Sequence, residues 1–192
     1  MSTITTPSTT DLAPGIWRLD PGHSEVGFVG RHFGLTKVRG RFTGVDGTIV
    51  VGDVVADDIA EATVDVVIDV TTVSSGDAKR DDHLRSPDFF DVERFPAARF
   101  RSVGRIAANG AVGSIAGELT IKDVTRPITL GVELLGTVID PWGGERAVFS
   151  ASAQLNREEW GLTWNMLLEA GGLLVSKEIR LEIEVELVRE AD

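Results

Sequence analysis

Apolar and polar side chains alternate with a period of two along much of this chain. Segment 179–187 is the clearest case, because isoleucine, leucine or valine stands at every second position, with arginine or glutamate between them. Segments 64–70, 115–121 and 128–134 alternate in a similar way. Such alternation puts the apolar side chains on one face of a β-strand, so each segment is predicted as a strand with one buried face.

The predicted strands, about eight in number, are joined by short connections. Turn residues occur at 20–22 and 140–144, and Asn109-Gly110 is a strong signal for a β-hairpin. Nothing between the strands has the length of a crossover helix, so antiparallel pairing in a barrel or a sandwich is expected. Segment 38–51 carries three glycines and is predicted as a bent or bulged strand.

Segment 74–86 breaks the β pattern and is predicted as a short helix. Ser74-Ser75 is predicted to cap its N-terminus, and Pro87 to end it near Ser86. Phe89 and Phe90 follow, and at least one of them is predicted to turn inward because two exposed phenylalanines would be costly. The helix either covers one end of the β-structure or lines a ligand site, and the two roles are compatible.

Composition narrows the class of protein. The 192 residues include 42% hydrophobic and 26% charged residues, which is typical of a folded domain. Residues 1–14 are rich in Ser, Thr and Pro and are predicted to be a disordered tail, with a single domain at 15–190. No signal peptide and no membrane span are predicted, so a cytoplasmic location is expected. The net charge of −11 argues against nucleic acid as a partner.

No catalytic constellation stands out in the sequence. The chain has no cysteine, which excludes disulfides, thiolate metal sites and a cysteine nucleophile. His23, His32 and His83 are dispersed and match no metal-binding spacing, and no serine lies in a G-x-S-x-G elbow. We therefore predict no enzyme activity, no cofactor and no metal.

Two segments suggest a site inside the β-structure. Three of five residues on one face of segment 147–155 are alanines, and Gly117 interrupts another apolar face, which predicts unfilled volume in a barrel lumen. The alternative is that bulky side chains from other strands fill this volume. Segment 160–174 is an apolar connection with two tryptophans, and it is predicted either to cover a pocket or to form a partner or homodimer contact.

A series of landmarks, ordered along nearly the whole chain, resembles the YceI-like proteins, a lipocalin-like family of polyisoprenoid-binding proteins. The landmarks include Trp17-Arg-Leu-Asp20, Gly22-His-Ser24, Arg80-Asp-x-His-Leu84, Asp88-Phe-Phe-Asp91, Gly117-x-Leu-Thr-Ile121, and Asn156-Arg157 before Trp160-Gly161. The resemblance implies an all-β fold, an extended eight-stranded antiparallel barrel with a short helix at its mouth. It also implies a lipid tail in the lumen, from a polyisoprenoid or a quinone-like lipid.

Strand parity and this resemblance together give three sets of candidate ligand-binding residues. The lumen set is Val26, Phe28, Val64, Val66, Ile68, Leu119, Phe149, Ala151, Ala153, Leu181 and Ile183. The mouth set is Leu84, Phe89, Phe90, Trp160, Trp164 and Met166. The head-group candidates are His32, Arg80, His83, Asn156 and Arg157. These head-group candidates have alternative roles, since Arg80 could tie the helix to the barrel, and Asn156 and Arg157 could satisfy strand-end carbonyls.

The predicted function is to bind a long-chain apolar lipid in the lumen and to carry or store it. The alternative is an interaction protein that uses the apolar segment 160–174 for a partner or dimer contact. A third hypothesis, an isomerase or hydrolase with the lumen as its reaction chamber, lacks a candidate nucleophile or metal triad.

Overall fold

A computed structural model describes residues 12–55, 59–104, 107–109, 112–167 and 174–190 of the chain. The described residues form eleven strands, namely β1 (Gly15–Leu19), β2 (Glu25–His32), β3 (Thr36–Phe42), β4 (Gly44–Val55), β5 (Ile59–Asp69), β6 (Ala97–Ser102), β7 (Ala107–Asn109), β8 (Val112–Ile121), β9 (Val124–Ile139), β10 (Glu145–Asn156) and β11 (Glu178–Arg189). They also form one α-helix, α1 (Ala78–Arg85), and two 3-10 turns, Val70–Thr72 and Arg157–Trp160.

Eight of the strands close into an antiparallel barrel. Their order is β1-β4-β5-β6-β8-β9-β10-β11, and β11 pairs back to β1. The short strand β7 pairs with β8 beside this ring. The closed ring confirms the predicted eight-stranded antiparallel barrel with a single short helix. No helix among the described residues is long and apolar enough to cross a membrane.

The remaining two strands form the β2–β3 hairpin, which extends one end of the barrel. Strand β11 pairs with β1 through residues 187–189 and with β2 through residues 180–184. Strand β3 pairs with β2, but among the described strands it has no second partner, and only Arg41 bridges to Ser74 on its other edge. We call this the hairpin end of the barrel, and the opposite end, where Trp17 pairs with Arg189, the Trp17 end.

The chain bends sharply between β3 and β4, as the glycines in segment 38–51 predict. Strand β3 ends at Phe42 and β4 begins at Gly44. A Cβ atom on Gly44 would lie 2.8 Å from both Asp69 Cβ and Thr72 Cγ2, so a larger residue would clash here. The bend therefore needs a glycine for close approach to the turn after β5.

Helix α1 forms where a helix is predicted, but its N-terminus is capped differently. The predicted cap at Ser74-Ser75 is wrong, because the side chain of Asp77 accepts the Arg80 N–H at 3.0 Å and is the N-cap. Ser75 instead donates its N–H to Asp81 Oδ1 at 2.7 Å. The helix ends at Arg85 with Ser86 as its C-cap, as the following proline predicts.

Residues before 15 also pack against the barrel. Leu12 is buried in the core, and the Trp17 indole donates a hydrogen bond to the Ala13 carbonyl at 3.1 Å. Arg189 Nη2 donates to the Pro14 carbonyl at 2.8 Å. Residues 12–14 are thus part of the packed domain, whereas the rest of the predicted tail, 1–11, lies outside the described residues.

Candidate functional site

An apolar-lined cavity of about 840 Å³ lies at the hairpin end of the barrel. Strands β2 and β3 form one wall, helix α1 forms another, and the ends of β8, β10 and β11 form the floor. Most of the apolar wall comes from Val26, Phe28, Phe42, Ile68, Leu84, Phe89, Phe90, Leu119, Ile121, Leu155, Leu162, Trp164, Ile179 and Leu181.

A second cavity of about 150 Å³ lies toward the Trp17 end. Val26 and Ile68 line both cavities, so the two spaces are neighbours inside the same barrel. The walls of the smaller cavity come almost wholly from aliphatic and phenylalanine side chains. The barrel therefore encloses two neighbouring apolar cavities, of which the larger lies at the hairpin end.

Strand parity placed ten of the eleven lumen candidates at these cavities. Val26, Phe28, Ile68, Leu119 and Leu181 line the larger cavity. The smaller cavity is also lined by Val64, Val66, Phe149, Ala151 and Ile183. Ala153 lines neither cavity, because it packs half-buried against the core cluster around Leu155 and Trp160.

Gly117 and Ala147 do not line the larger cavity, and at Gly117 the alternative that a bulky side chain fills the space is confirmed. The ring of Phe100 fills the space beside Gly117, where a Cβ atom would lie 2.4 Å from Phe100 Cζ. Ala147 is fully buried in the packed core. The larger cavity lies instead where β3 has no second strand beside it and helix α1 completes the wall.

Four of the six mouth candidates line the larger cavity, namely Leu84, Phe89, Phe90 and Trp164. Trp160 does not, because it is buried in the core and its indole donates a hydrogen bond to the Leu119 carbonyl at 2.9 Å. Met166 is 56% exposed and lines neither cavity. Residues 168–173 of the predicted covering segment lie outside the described residues.

An aromatic cluster forms the part of the wall next to helix α1. The His83 ring packs edge-on against Trp164, with 4.5 Å between ring centroids, and against Phe89 at 5.1 Å. His83 Nε2 lies 2.8 Å from Asp88 Oδ2, which orients the imidazole. This cluster fixes the side chains on which a ligand entering past α1 would pack.

The head-group candidates are divided between the cavity and the supporting structure. His32, Arg80, His83 and Arg157 line the larger cavity. Asn156 does not, because its side chain accepts the Glu158 N–H at 3.1 Å and caps the 3-10 turn. Arg80 donates from Nε to Ser75 Oγ at 2.7 Å and from Nη2 to the Ser75 carbonyl at 2.8 Å, which matches its alternative role of fastening the helix.

Arg157 combines a supporting role with a free donor. Its Nε donates to the Ser176 carbonyl at 3.0 Å, and its Nη1 donates to the Leu162 carbonyl. These bonds match the predicted alternative of satisfying backbone carbonyls. Nη2, however, is buried and has no hydrogen-bond partner among the described residues. Burial lowers the pKa of Arg157, and the nearby Glu158 carboxylate opposes this shift.

Sequence reasoning missed four further cationic residues at this cavity, namely Arg31, Lys37, Arg39 and Lys79. They come from β2, from β3 and from the first turn of α1, so they converge only in the folded barrel. The available signal was the high density of Lys and Arg in segment 31–41 of an otherwise acidic chain.

One cluster near the Trp17 end has the composition of a metal site. Ligand atoms of Asp20, His23 and Glu186 lie within 4.8 Å of one another. Arg146 already occupies this cluster, since its Nη1 donates to Asp20 Oδ2 at 2.9 Å and to Glu186 Oε1 at 2.5 Å. The guanidinium thus supplies the positive charge that the two carboxylates need, and the cluster serves as an ion-pair network.

Comparison with known proteins identifies the relatives of this chain. The chain matches the YceI-like domain over residues 17–187. A UPF0312 protein of Photorhabdus laumondii is 36% identical over 171 residues, which cover 88% of this chain and 84% of that protein. The crystal structure of a Campylobacter jejuni YCEI protein is similar in fold, with a TM-score of 0.68 and 26% identity, covering 84% of this chain and 90% of that one.

A polyisoprenoid binding domain from Saccharophagus degradans, implicated in plant cell wall breakdown, also shares the fold. Its TM-score is 0.61 at 16% identity, and the match covers 91% of this chain and 98% of that domain. With nearly all of its domain matched, the chain belongs to the YceI-like family.

Proposed function

We propose that this protein binds a long-chain apolar lipid, a polyisoprenoid or a quinone-like molecule, in its lumen and carries or stores it. The observation that carries the proposal is the 840 Å³ cavity walled by phenylalanine, leucine, isoleucine and valine side chains. Ligand pockets usually measure about 300–1,000 Å³. The name of the Saccharophagus degradans domain supports a ligand of the polyisoprenoid class.

Burial of a lipid tail supplies enough free energy for useful affinity. Each methylene moved from water into the lumen contributes about 0.8 kcal/mol, so a tail of about twenty carbons gains roughly 16 kcal/mol. Lost translational freedom and ordering of the tail cost about 4–15 kcal/mol. The smaller cavity beside Val26 and Ile68 offers space for the far end of the tail.

Blocking the larger cavity from one strand tests the proposal. Leu181 lines the cavity, whereas Glu182, the next residue of β11, is exposed on the outer face. We expect wild-type protein and Glu182→Trp to retain lipid, measured by organic extraction and mass spectrometry, and Leu181→Trp to lose about nine-tenths of it. Circular dichroism checks that both variants fold.

Two results would contradict the proposal. One is wild-type protein from a lipid-rich host that contains no lipid and also binds no added isoprenoid alcohol in a fluorescence titration. The other is a Leu181→Trp variant that folds and holds as much lipid as Glu182→Trp does.

The interaction hypothesis keeps one supporting observation. Met166 and Leu167 are 56% and 85% exposed, and both belong to the apolar segment 160–174. If this segment forms a homodimer contact, Met166→Ser with Leu167→Ser is expected to halve the mass measured by light scattering. An unchanged mass would count against dimerisation through it.

A further inference from the structure

The charged residues that line the larger cavity are positive, whereas the protein as a whole is negative. The chain has a net charge of −11, yet the described residues that line this cavity include no aspartate or glutamate. Six of them are lysine or arginine, namely Arg31, Lys37, Arg39, Lys79, Arg80 and Arg157. A cavity that served only an uncharged hydrocarbon would gain nothing from this arrangement.

These six cations also lack the carboxylate partners that cations elsewhere on the barrel have. Arg18 pairs with Glu190, Arg99 with Asp65, and Arg146 with three carboxylates. None of the six cavity cations forms a salt bridge with a described carboxylate. Glu158 still acts on Arg157, and Asp77 acts on Lys79 and Arg80, without a salt bridge. Among the described residues, the positive charge at this cavity is therefore matched only in part.

Arg157 is the innermost of the six, with an exposure of 5%. Two backbone carbonyls hold its guanidinium in place, and the guanidinium carbon lies 5.8 Å from the centroid of the Phe89 ring. Nη2 remains a buried donor without a partner among the described residues. A buried donor without a hydrogen-bond partner destabilises the folded protein, and a ligand oxygen that accepts a hydrogen bond from it would remove this cost.

The other cations surround this point from the outside. Arg31, Lys37, Arg39 and Lys79 are exposed at the rim formed by the β2–β3 hairpin and helix α1. Arg80 is half-buried and donates two hydrogen bonds to Ser75. Exposed cations at a cavity entrance attract anions, even where the protein as a whole is acidic.

We infer that the ligand is an anionic amphiphile, whose apolar tail lies in the lumen and whose carboxylate or phosphate oxygen accepts a hydrogen bond from Arg157. The inference rests on the proposed function, because it needs the tail inside the barrel. An ionised oxygen both pairs with the free Nη2 donor and matches the buried positive charge. An alcohol of the same length can do only the first.

Three probes with one common tail test the head group: hexadecanoic acid, hexadecyl phosphate and hexadecanol. In displacement of a fluorescent fatty-acid analogue from delipidated protein, we expect the two anions to bind at least about tenfold more tightly than the alcohol. Equal affinity for all three would overturn the inference and leave lipid binding intact. Failure of all three to bind would overturn the proposed function itself.

Free anions provide the second arm of the experiment. Acetate and inorganic phosphate carry the same oxygens without a tail, so neither is expected to displace the analogue at millimolar concentration. Displacement by either one would overturn the inference that the ligand is an amphiphile and would indicate a site for a small anion.

Two variants assign the effect to residues. Arg157→Met is expected to lower the affinity for the acid about tenfold and the affinity for the alcohol by clearly less, because the alcohol loses only a neutral hydrogen bond. Because Arg157 also holds two carbonyls, Arg39→Gln at the exposed rim is the second variant, with an expected loss of about threefold for the acid at low salt. Arg126→Gln is its matched control, an exposed cation outside the cavity. Equal losses for Arg39→Gln and Arg126→Gln would contradict a local role of the rim.

Discussion

The two ends of this barrel are built from strands of one continuous sheet, yet they differ in what fills them. At the Trp17 end, Trp17 and Ala147 are completely buried and the remaining cavity measures about 150 Å³. At the hairpin end, Leu84 and Phe90 are only half-buried and the cavity measures about 840 Å³. The same alternation of apolar side chains thus produces a packed core at one end and a hollow at the other.

Strand pairing explains this difference better than side-chain size does. At the Trp17 end β1 pairs with both β4 and β11 and closes the ring. At the hairpin end β2 takes the place of β1 on β11, and the free edge of β3 bridges to the loop at Ser74. Helix α1 lines the cavity together with β3. An α-helix with its side chains is about 10 Å in diameter, whereas neighbouring strands of a sheet lie only about 4.7–4.9 Å apart. The hollow follows from this exchange of a strand for a helix.

The largest expected difference between the two ends is in the free energy of unfolding lost when a tryptophan is removed. Trp17→Ala removes a fully buried side chain from the packed end and is expected to lower the free energy of unfolding by about 3–5 kcal/mol. Trp164→Ala removes a half-buried side chain from the cavity wall, where the expected loss is about 1 kcal/mol. Urea unfolding of the delipidated variants measures both. Equal losses would show that the hairpin end is packed like the Trp17 end.

Glycine substitutions test the packing at a finer level. An added Cβ at Gly117 would lie 2.4 Å from Phe100 Cζ and 2.5 Å from the Arg101 carbonyl oxygen, so Gly117→Ala is expected to cost about 1–3 kcal/mol. Gly131→Ala is the matched control in the neighbouring strand, where the nearest atom is 3.8 Å away, and it should change stability by less than about 0.5 kcal/mol. Urea unfolding compares the two, and a harmless Gly117→Ala would mean that Phe100 does not fill this space.

The sequence predicts the strands and their inward faces well, because strand parity is a local property. Leu181 and Ile183 point inward and Glu182 outward, as their alternation requires. Parity cannot separate a packed interior from a hollow one, since both demand the same apolar face. Of the two alternatives at Gly117, empty space or filling by bulky side chains, the structure shows the second, because the ring of Phe100 from another strand, β6, lies there.

The chemistry of the candidate site was harder to predict, because it depends on which distant segments meet. Trp160 belongs to an apolar segment and was assigned to the mouth, but its indole hydrogen bonds to Leu119 across the core. Lys37 and Lys79 lie 42 positions apart in the sequence and come together only at the cavity that β3 and α1 both line. Nothing local in either segment indicates this convergence.

Charge pairing provides the last and smallest contrast between the two ends. At the Trp17 end, Arg146 donates to Asp140 at 2.8 Å as well as to Asp20 and Glu186. Arg146 holds the pKa of Asp140 below its usual range, and hydrogen bonds from His23 and Arg146 do the same for the pKa of Asp20. At the hairpin end, Arg41 pairs with Glu25 at 3.1 Å, whereas Arg39 at the cavity forms no salt bridge with a described carboxylate.

The pH dependence of stability follows from the direction of these shifts. A carboxylate with a lowered pKa in the folded state stabilises that state above its unfolded pKa of about 3.9, and this contribution is lost as the pH falls through the folded pKa. Arg146→Gln is therefore expected to lower the Tm by a few degrees at neutral pH, with a difference from wild type that shrinks below about pH 4. Arg39→Gln should leave the Tm unchanged throughout. Thermal unfolding from neutral to acidic pH measures both, and a constant difference for Arg146→Gln would mean that its ion pairs do not stabilise the Trp17 end.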